Sequence, residues 1–193
     1  MQPVSPRTLR RARAGSDRAT RDLWSACAPG LRAYLHTMLI GRDPNPADAA
    51  EDLLQQLFLS IYTTPAARLH AVKDPPAWLT RCARNAAINH TRSATRERTR
   101  TEHAGRTARS TSAAPLPFEI ASNTTDLAAA IATLTPDHRE VLILRHAAGL
   151  TFDQIATATE TPRSTIATRH AAALRALHQS LAPQSPPLTK AAP

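Results

Sequence analysis

Lysine is nearly missing from this chain: of its 24 Lys and Arg residues only Lys73 and Lys190 are lysine. Glycine is scarce as well, five scattered residues in 193, which excludes a Gly-rich phosphate-cradling loop. Cysteine is limited to Cys27 and Cys82. Both sit in apolar helical patterns, so buried reduced thiols are expected rather than a disulfide. No apolar run approaches the roughly 20 residues of a membrane-spanning helix, and the N-terminus has arginines but no apolar secretory segment. A cytoplasmic chain without membrane insertion is expected. The eight histidines, His36, His70, His90, His103, His138, His146, His170 and His178, show no zinc-type spacing. They read as dispersed surface or half-buried side chains. Serine and cysteine lack a nucleophile context, and Glu51-Asp52 reads as the acidic start of a helix rather than a catalytic pair. Neither catalysis nor a metal or cofactor is expected.

What is present is arginine. Against 15 Asp and Glu, the basic residues leave a formal net charge of +9. The planar Arg fork suits phosphates and base edges, so nucleic acid is the expected partner. The charge is uneven. Residues 1–21 hold six Arg and one Asp, a net of +5; residues 81–109 hold eight Arg and two Glu, a net of +6. Residues 126–181 hold five Arg and five acids, a net of zero.

Apolar periodicity predicts an all-α chain. Residues 1–20 are expected to be disordered, since Pro, Gly and Arg leave little to bury. A helix is expected over about 21–40, with Leu23, Trp24, Cys27, Leu31, Tyr34, Leu35 and Met38 on one face. After a break at 41–46, Asn45 and Pro46 open a second helix carrying Leu53, Leu54, Leu57, Phe58 and Ile61. Asp74, Pro75 and Pro76 open a third, with a stripe of Trp78, Leu79, Cys82, Ala83, Ala86 and Ile88. Residues 93–124 lose periodicity and read as a linker. Helices then follow around Leu127–Leu134, after Thr135-Pro136, after the capping box Thr151–Gln154, and from about Pro162. The segment from Gly149 to Arg169 reads as a helix-turn-helix, in which Ile155 and Ala156 pack against Ile166. Such a motif presents one helix to the DNA major groove. Residues 183–193 form a Pro-rich tail.

Both halves together resemble an extracytoplasmic function (ECF) sigma factor, the minimal two-domain class of bacterial transcription initiation factor. Residues 48–62 look like the region 2 helix that docks on the polymerase clamp, and residues 76–92 like the helix that opens and reads the −10 element. Residues 134–145 and the helix-turn-helix look like region 4, which reads the −35 element. The resemblance implies two small helical domains, at 21–97 and 125–182, joined by a flexible linker at 98–124. It implies core RNA polymerase (clamp and flap) and promoter DNA as partners, with an anti-sigma factor as a further one. It assigns Asp52, Gln55, Gln56 and Leu59 to polymerase. Lys73, Trp78, Arg81, Arg84, Asn85, Asn89 and Arg92 go to the −10 DNA, with the 71–76 loop as pocket for an unstacked base. Arg145, Thr151, Arg163, Ser164, Thr165, Thr168 and Arg169 go to the −35 DNA.

Departures from the family pattern fall mainly in the second half. Glu160 stands where Gly is usual in the turn, Thr159 and Thr161 where larger apolar residues pack, and Ser164 at another common Gly. Ala167, Ala171 and Ala172 replace residues that are often basic or aromatic. In the first half Ala86 and Thr91 replace bulkier side chains. Two other readings stand beside the resemblance: a stand-alone helix-turn-helix regulator, and a nucleic-acid-processing enzyme, for which no carboxylate cluster is seen.

Overall fold

The computed structural model describes residues 4–103 and 124–181. They form α-helices and connecting turns only, with no strand among the described residues. In chain order these are α1 (Pro6–Arg13), α2 (Asp17–Leu39), α3 (Pro46–Thr63), α4 (Ala66–His70) and α5 (Pro75–His103) in the first half. The second half holds α6 (Thr124–Thr133), α7 (Pro136–His146), α8 (Phe152–Thr159) and α9 (Arg163–Leu181).

The expected disorder of residues 1–20 is corrected by α1. The Ser5 hydroxyl accepts the Thr8 N–H at 3.2 Å and Pro6 takes the first helical position, a cap that holds a short helix in place. Its apolar content is small but well placed: Leu9 and Ala12, three residues apart, are both buried in the core. Arg13 Nε donates to the Thr64 carbonyl at 2.7 Å, tying α1 to the end of α3. Gly15, with φ +86, lets the chain leave α1 in the left-handed conformation that favours glycine. Ser16 then caps α2, which starts at Asp17, four residues before the expected start.

The caps at α3 and α5 fall where expected, with one difference in chemistry. Asn45 occupies the cap of α3, but its side chain donates to the Asp48 carboxylate instead of accepting a backbone N–H. Asp74 accepts the Ala77 N–H at 3.0 Å and opens α5. That helix continues to His103, so residues 98–103, expected as the start of the linker between the domains, are helical. Residues 104–123 and the Pro-rich tail lie outside the described residues. In the second half the Thr135 cap and the reciprocal Thr151–Gln154 capping box are both present. Arg139 donates from Nε to the Ile131 carbonyl (3.1 Å) and from Nη2 to the Leu134 carbonyl (3.0 Å), satisfying the end of α6.

The core is shared between the halves. One continuous cluster runs from Leu9 and Leu23 through Leu54, Leu79 and Ala83 to Leu144, Leu150, Ile155 and Ile166. Of the core aromatics expected on the first helix, Tyr34 is fully buried and Trp24 packs partly buried against Phe58, ring centroids 4.6 Å apart. A second, smaller cluster of Ala130, Leu134, Leu142, Ala173 and Leu177 holds α6 on α7 and α9. Cys27 and Cys82 are free thiols; burial pushes Cys27 up to about 12. No helix among the described residues is long and apolar enough to cross a membrane.

Candidate nucleic-acid and polymerase interface

The outward face of α3 carries Asp52, Gln55, Gln56 and Leu59, all exposed, with Leu59 65% exposed and Tyr62 beside it 44% exposed. The inward face buries Leu53, Leu54, Leu57, Phe58 and Ile61. The two neighbouring acids therefore have separate environments. Glu51 accepts from Arg32 Nε at 2.6 Å, and that hydrogen bond holds its carboxyl below the usual range. Asp52 faces outward.

The residues assigned to the −10 DNA lie on α5 and the loop before it. Lys73, Arg81, Asn85, Asn89 and Arg92 are exposed, spaced so that several fall on one side of the helix. Trp78 is half-buried against the core, so packing accounts for part of its surface. Arg84 is different: its Nε donates to Glu140 Oε1 at 3.0 Å, across to α7. Burial works against its charge, but Glu140, together with Tyr34 and Asp137, raises its pKa. Arg81 is also engaged, in an ion pair with Glu160 at the end of α8.

In the second half, α8 and α9 cross through Ile155 and Ile166, both fully buried, with Ala156 partly buried against the same core. Ser164 and Thr168 are exposed and Thr165 is half-exposed on α9. Arg163 Nε pairs with Asp153 at 3.0 Å, and Arg169 Nη2 with Asp137 at 2.6 Å. Arg145 donates to the Leu150 carbonyl at 2.9 Å and lies over the Phe152 ring. The Thr151 hydroxyl is taken up by the capping box, accepting the Gln154 N–H. The turn residue Glu160 adopts φ 55, ψ 35, the left-handed conformation that costs a non-glycine residue on the order of 1 kcal/mol. Thr159 is buried with its hydroxyl donating to the Ile155 carbonyl at 2.8 Å, which is how a threonine fits a position suited to apolar side chains.

Not all histidines are dispersed. His146 and His170 meet across α7 and α9 with Nε2 atoms 3.0 Å apart, their rings stacked and Phe152 edge-on to His170. Burial, then His146 and Arg145, lower the His170 pKa. Sequence spacing hid this pair because its members are 24 residues apart. It supplies two nitrogen ligands, short of the four of a structural zinc site, and no group of three or more metal-ligating side chains converges among the described residues.

Sequence reasoning also missed a polar seam between the halves. Tyr34, fully buried on α2, donates its hydroxyl to Glu140 Oε1 at 2.6 Å, the oxygen that also accepts from Arg84. Burial first, and then the Glu140 charge, raise the Tyr34 pKa well above its ordinary value. Gln154 Nε2 donates to Asp74 at 2.9 Å, joining the start of α8 to the loop before α5. At Gly30 of α2, an added Cβ would stand 2.6 Å from the Ala148 Cα. The only available sequence signal was Glu160, at a position where glycine is usual.

Comparison with known proteins assigns both halves. Residues 23–97 match the model of sigma-70 region 2, and residues 124–177 match that of sigma-70 region 4. The RNA polymerase sigma factor CarQ of Myxococcus xanthus is 32% identical over 150 residues, covering 76% of this chain and 80% of that protein. In fold, the chain resembles the sigma factor RpoE crystallised with the anti-sigma factor NepR of Bartonella quintana. That match has a TM-score of 0.61 at 23% identity, covering 86% of this chain and 97% of that one. It also resembles CnrH in complex with the cytosolic domain of CnrY, with a TM-score of 0.58 at 17% identity, covering 94% and 99%. A stand-alone helix-turn-helix regulator is not favoured, because region 2 fills most of the first half. With regions 2 and 4 in order on one all-α chain, the protein belongs to the sigma-70 family as an ECF-type sigma factor, a transcription initiation factor that directs core RNA polymerase to promoter DNA.

Proposed function

We propose that this factor acts purely by binding, without catalysis, in the cytoplasm, and through three surfaces. The exposed face of α3, Asp52, Gln55, Gln56 and Leu59, docks on the polymerase clamp. Lys73, Trp78, Arg81, Arg84, Asn85, Asn89 and Arg92 hold the opened −10 strand, with cations along its phosphates and the 71–76 loop receiving an unstacked base. Arg145, Thr151, Arg163, Ser164, Thr165, Thr168 and Arg169 present α9 and its flanks to the −35 duplex. Domain limits near 21–97 and 125–182, and an anti-sigma partner that covers one of these surfaces, complete the reading.

The observation that carries it is Leu59, 65% exposed amid polar side chains on a helix whose other face is wholly buried. A large apolar side chain left in water at the centre of a polar patch suits an interface anchor. Transcription in vitro with core polymerase on a genomic library is the direct test. Start sites should appear only with the factor present. Leu59→Arg should weaken core binding by about ten-fold or more, while Arg92→Ala should spare core binding and lower promoter opening. Unchanged core binding by Leu59→Arg would remove the docking face.

A further inference from the structure

The histidine pair of the second half is mounted on packed helices. On α9, Ile166 and Ala173 lie four residues before and three after His170, and both are fully buried. On α7, Leu142 lies four residues before His146 and is buried with Ala173 in the smaller cluster. Packing on both helices therefore fixes where the two rings start. Phe152 stands edge-on to the His170 ring. His146 is exposed at the end of α7. Between the rings the Nε2 atoms stand 3.0 Å apart. An ion about 2.1 Å from each of two imidazole nitrogens, which meet it at a right angle, holds those nitrogens about 3.0 Å apart. The exposed His146 ring can turn to aim both lone pairs at one point without moving the backbone. The ring that donates in the present hydrogen bond needs only to carry its proton on Nδ1 instead of Nε2.

We propose that His146 and His170 form a surface site for a late first-row divalent ion, Cu2+ foremost, which clamps α9 to α7. The donor set is two imidazoles, with no carboxylate joining them among the described residues. Such a set suits copper, nickel and zinc, and it gives no hold to Mg2+ or Ca2+, which take oxygen ligands. Arg145 lies close enough to act on the His170 charge, so its own charge works against any cation. The ion must gain that back from two nitrogens, and Cu2+ binds nitrogen sites most tightly of the series. Two protein ligands leave the remaining positions to water, so the ion is exchangeable where a structural zinc is not. Held there, it fixes the crossing of α9 on α7 one residue beyond Arg169. The site is independent of the promoter contacts assigned above.

The experiment titrates the full chain with Cu2+ near neutral pH, with Mg2+ for comparison. Electron paramagnetic resonance should show two nitrogens on the first ion bound. Removing either ring turns a two-point site into a one-point one and forfeits the effective concentration of the second ligand. By calorimetry, His146→Ala and His170→Ala should each weaken that ion about ten-fold or more, and the double variant should bind little worse than either single. Both substitutions lie outside the core. His146→Gln and His170→Gln, which keep polar side chains, repeat the comparison if alanine lowers helical content. His138→Ala and His178→Ala, on the same two helices, should bind as the wild type does. Cu2+ should also raise the unfolding midpoint of the wild type and not that of the double variant. First-ion binding that survives both substitutions, losses that add as for two separate ions, or equal binding of Mg2+ overturns the site. A wild-type midpoint that does not move on binding overturns the clamp.

Discussion

His36 on α2 is 1% exposed, and neither ring nitrogen has a hydrogen-bond partner among the described residues. Burial holds its pKa below the ordinary 6.5, so the folded protein keeps the ring neutral. The unfolded chain takes up a proton at the ordinary value. Below about 6.5 the unfolded state therefore binds more protons, and stability present above that value is lost as pH falls through it. His170 works in the same direction. Replacing a buried, unpartnered polar group by an apolar one of similar size is neutral to stabilising. His36→Leu is accordingly expected to gain about 1 kcal/mol at neutral pH and to lose less on acidification, His170 retaining a share of the slope. Urea unfolding at about pH 7 and about pH 5 measures both; an unchanged slope would place the acid sensitivity elsewhere.

Helix starts were readable because their chemistry is local. Thr135, Asp74 and the Thr151–Gln154 pair sit within three residues of the N–H groups they satisfy. Their roles follow from the spacing alone. Thr151→Ala removes one arm of the capping box and should cost about 1 kcal/mol, read as a lower unfolding midpoint by circular dichroism; a variant as stable as wild type would mean α8 is held by packing alone. Helix ends were less readable. α1 rests on two buried apolar residues among four arginines, too thin a stripe to stand out from composition. α5 runs past the last periodic residue to His103, because arginine and glutamate are good helix formers without an apolar stripe. α4, five residues long, left no period to detect.

At the scale of the whole molecule, the family regions were visible in sequence and the seam between them was not. Tyr34 and Glu140 are 106 residues apart, Asp74 and Gln154 80, and no period or motif connects positions at such separations. Each looks ordinary alone: a tyrosine on an apolar face, a glutamate in a helix. Gly30→Ala is expected to part the seam without melting the helices, since its Cβ meets backbone that cannot turn aside. The cost of such overpacking is about 1–3 kcal/mol. Helical content should stay constant while the unfolding midpoint falls and the particle expands; a midpoint equal to that of the wild type would show that α2 and α7 do not meet in solution. Because both sides of the seam belong to one polypeptide, their effective concentration is set by the chain and not by the cell. Making more of the chain raises the forms with the seam closed and with the seam parted in equal proportion. Abundance alone thus leaves the parted fraction unchanged, and dilution frees none of it. Only a ligand that binds the parted form better than the closed one shifts the balance.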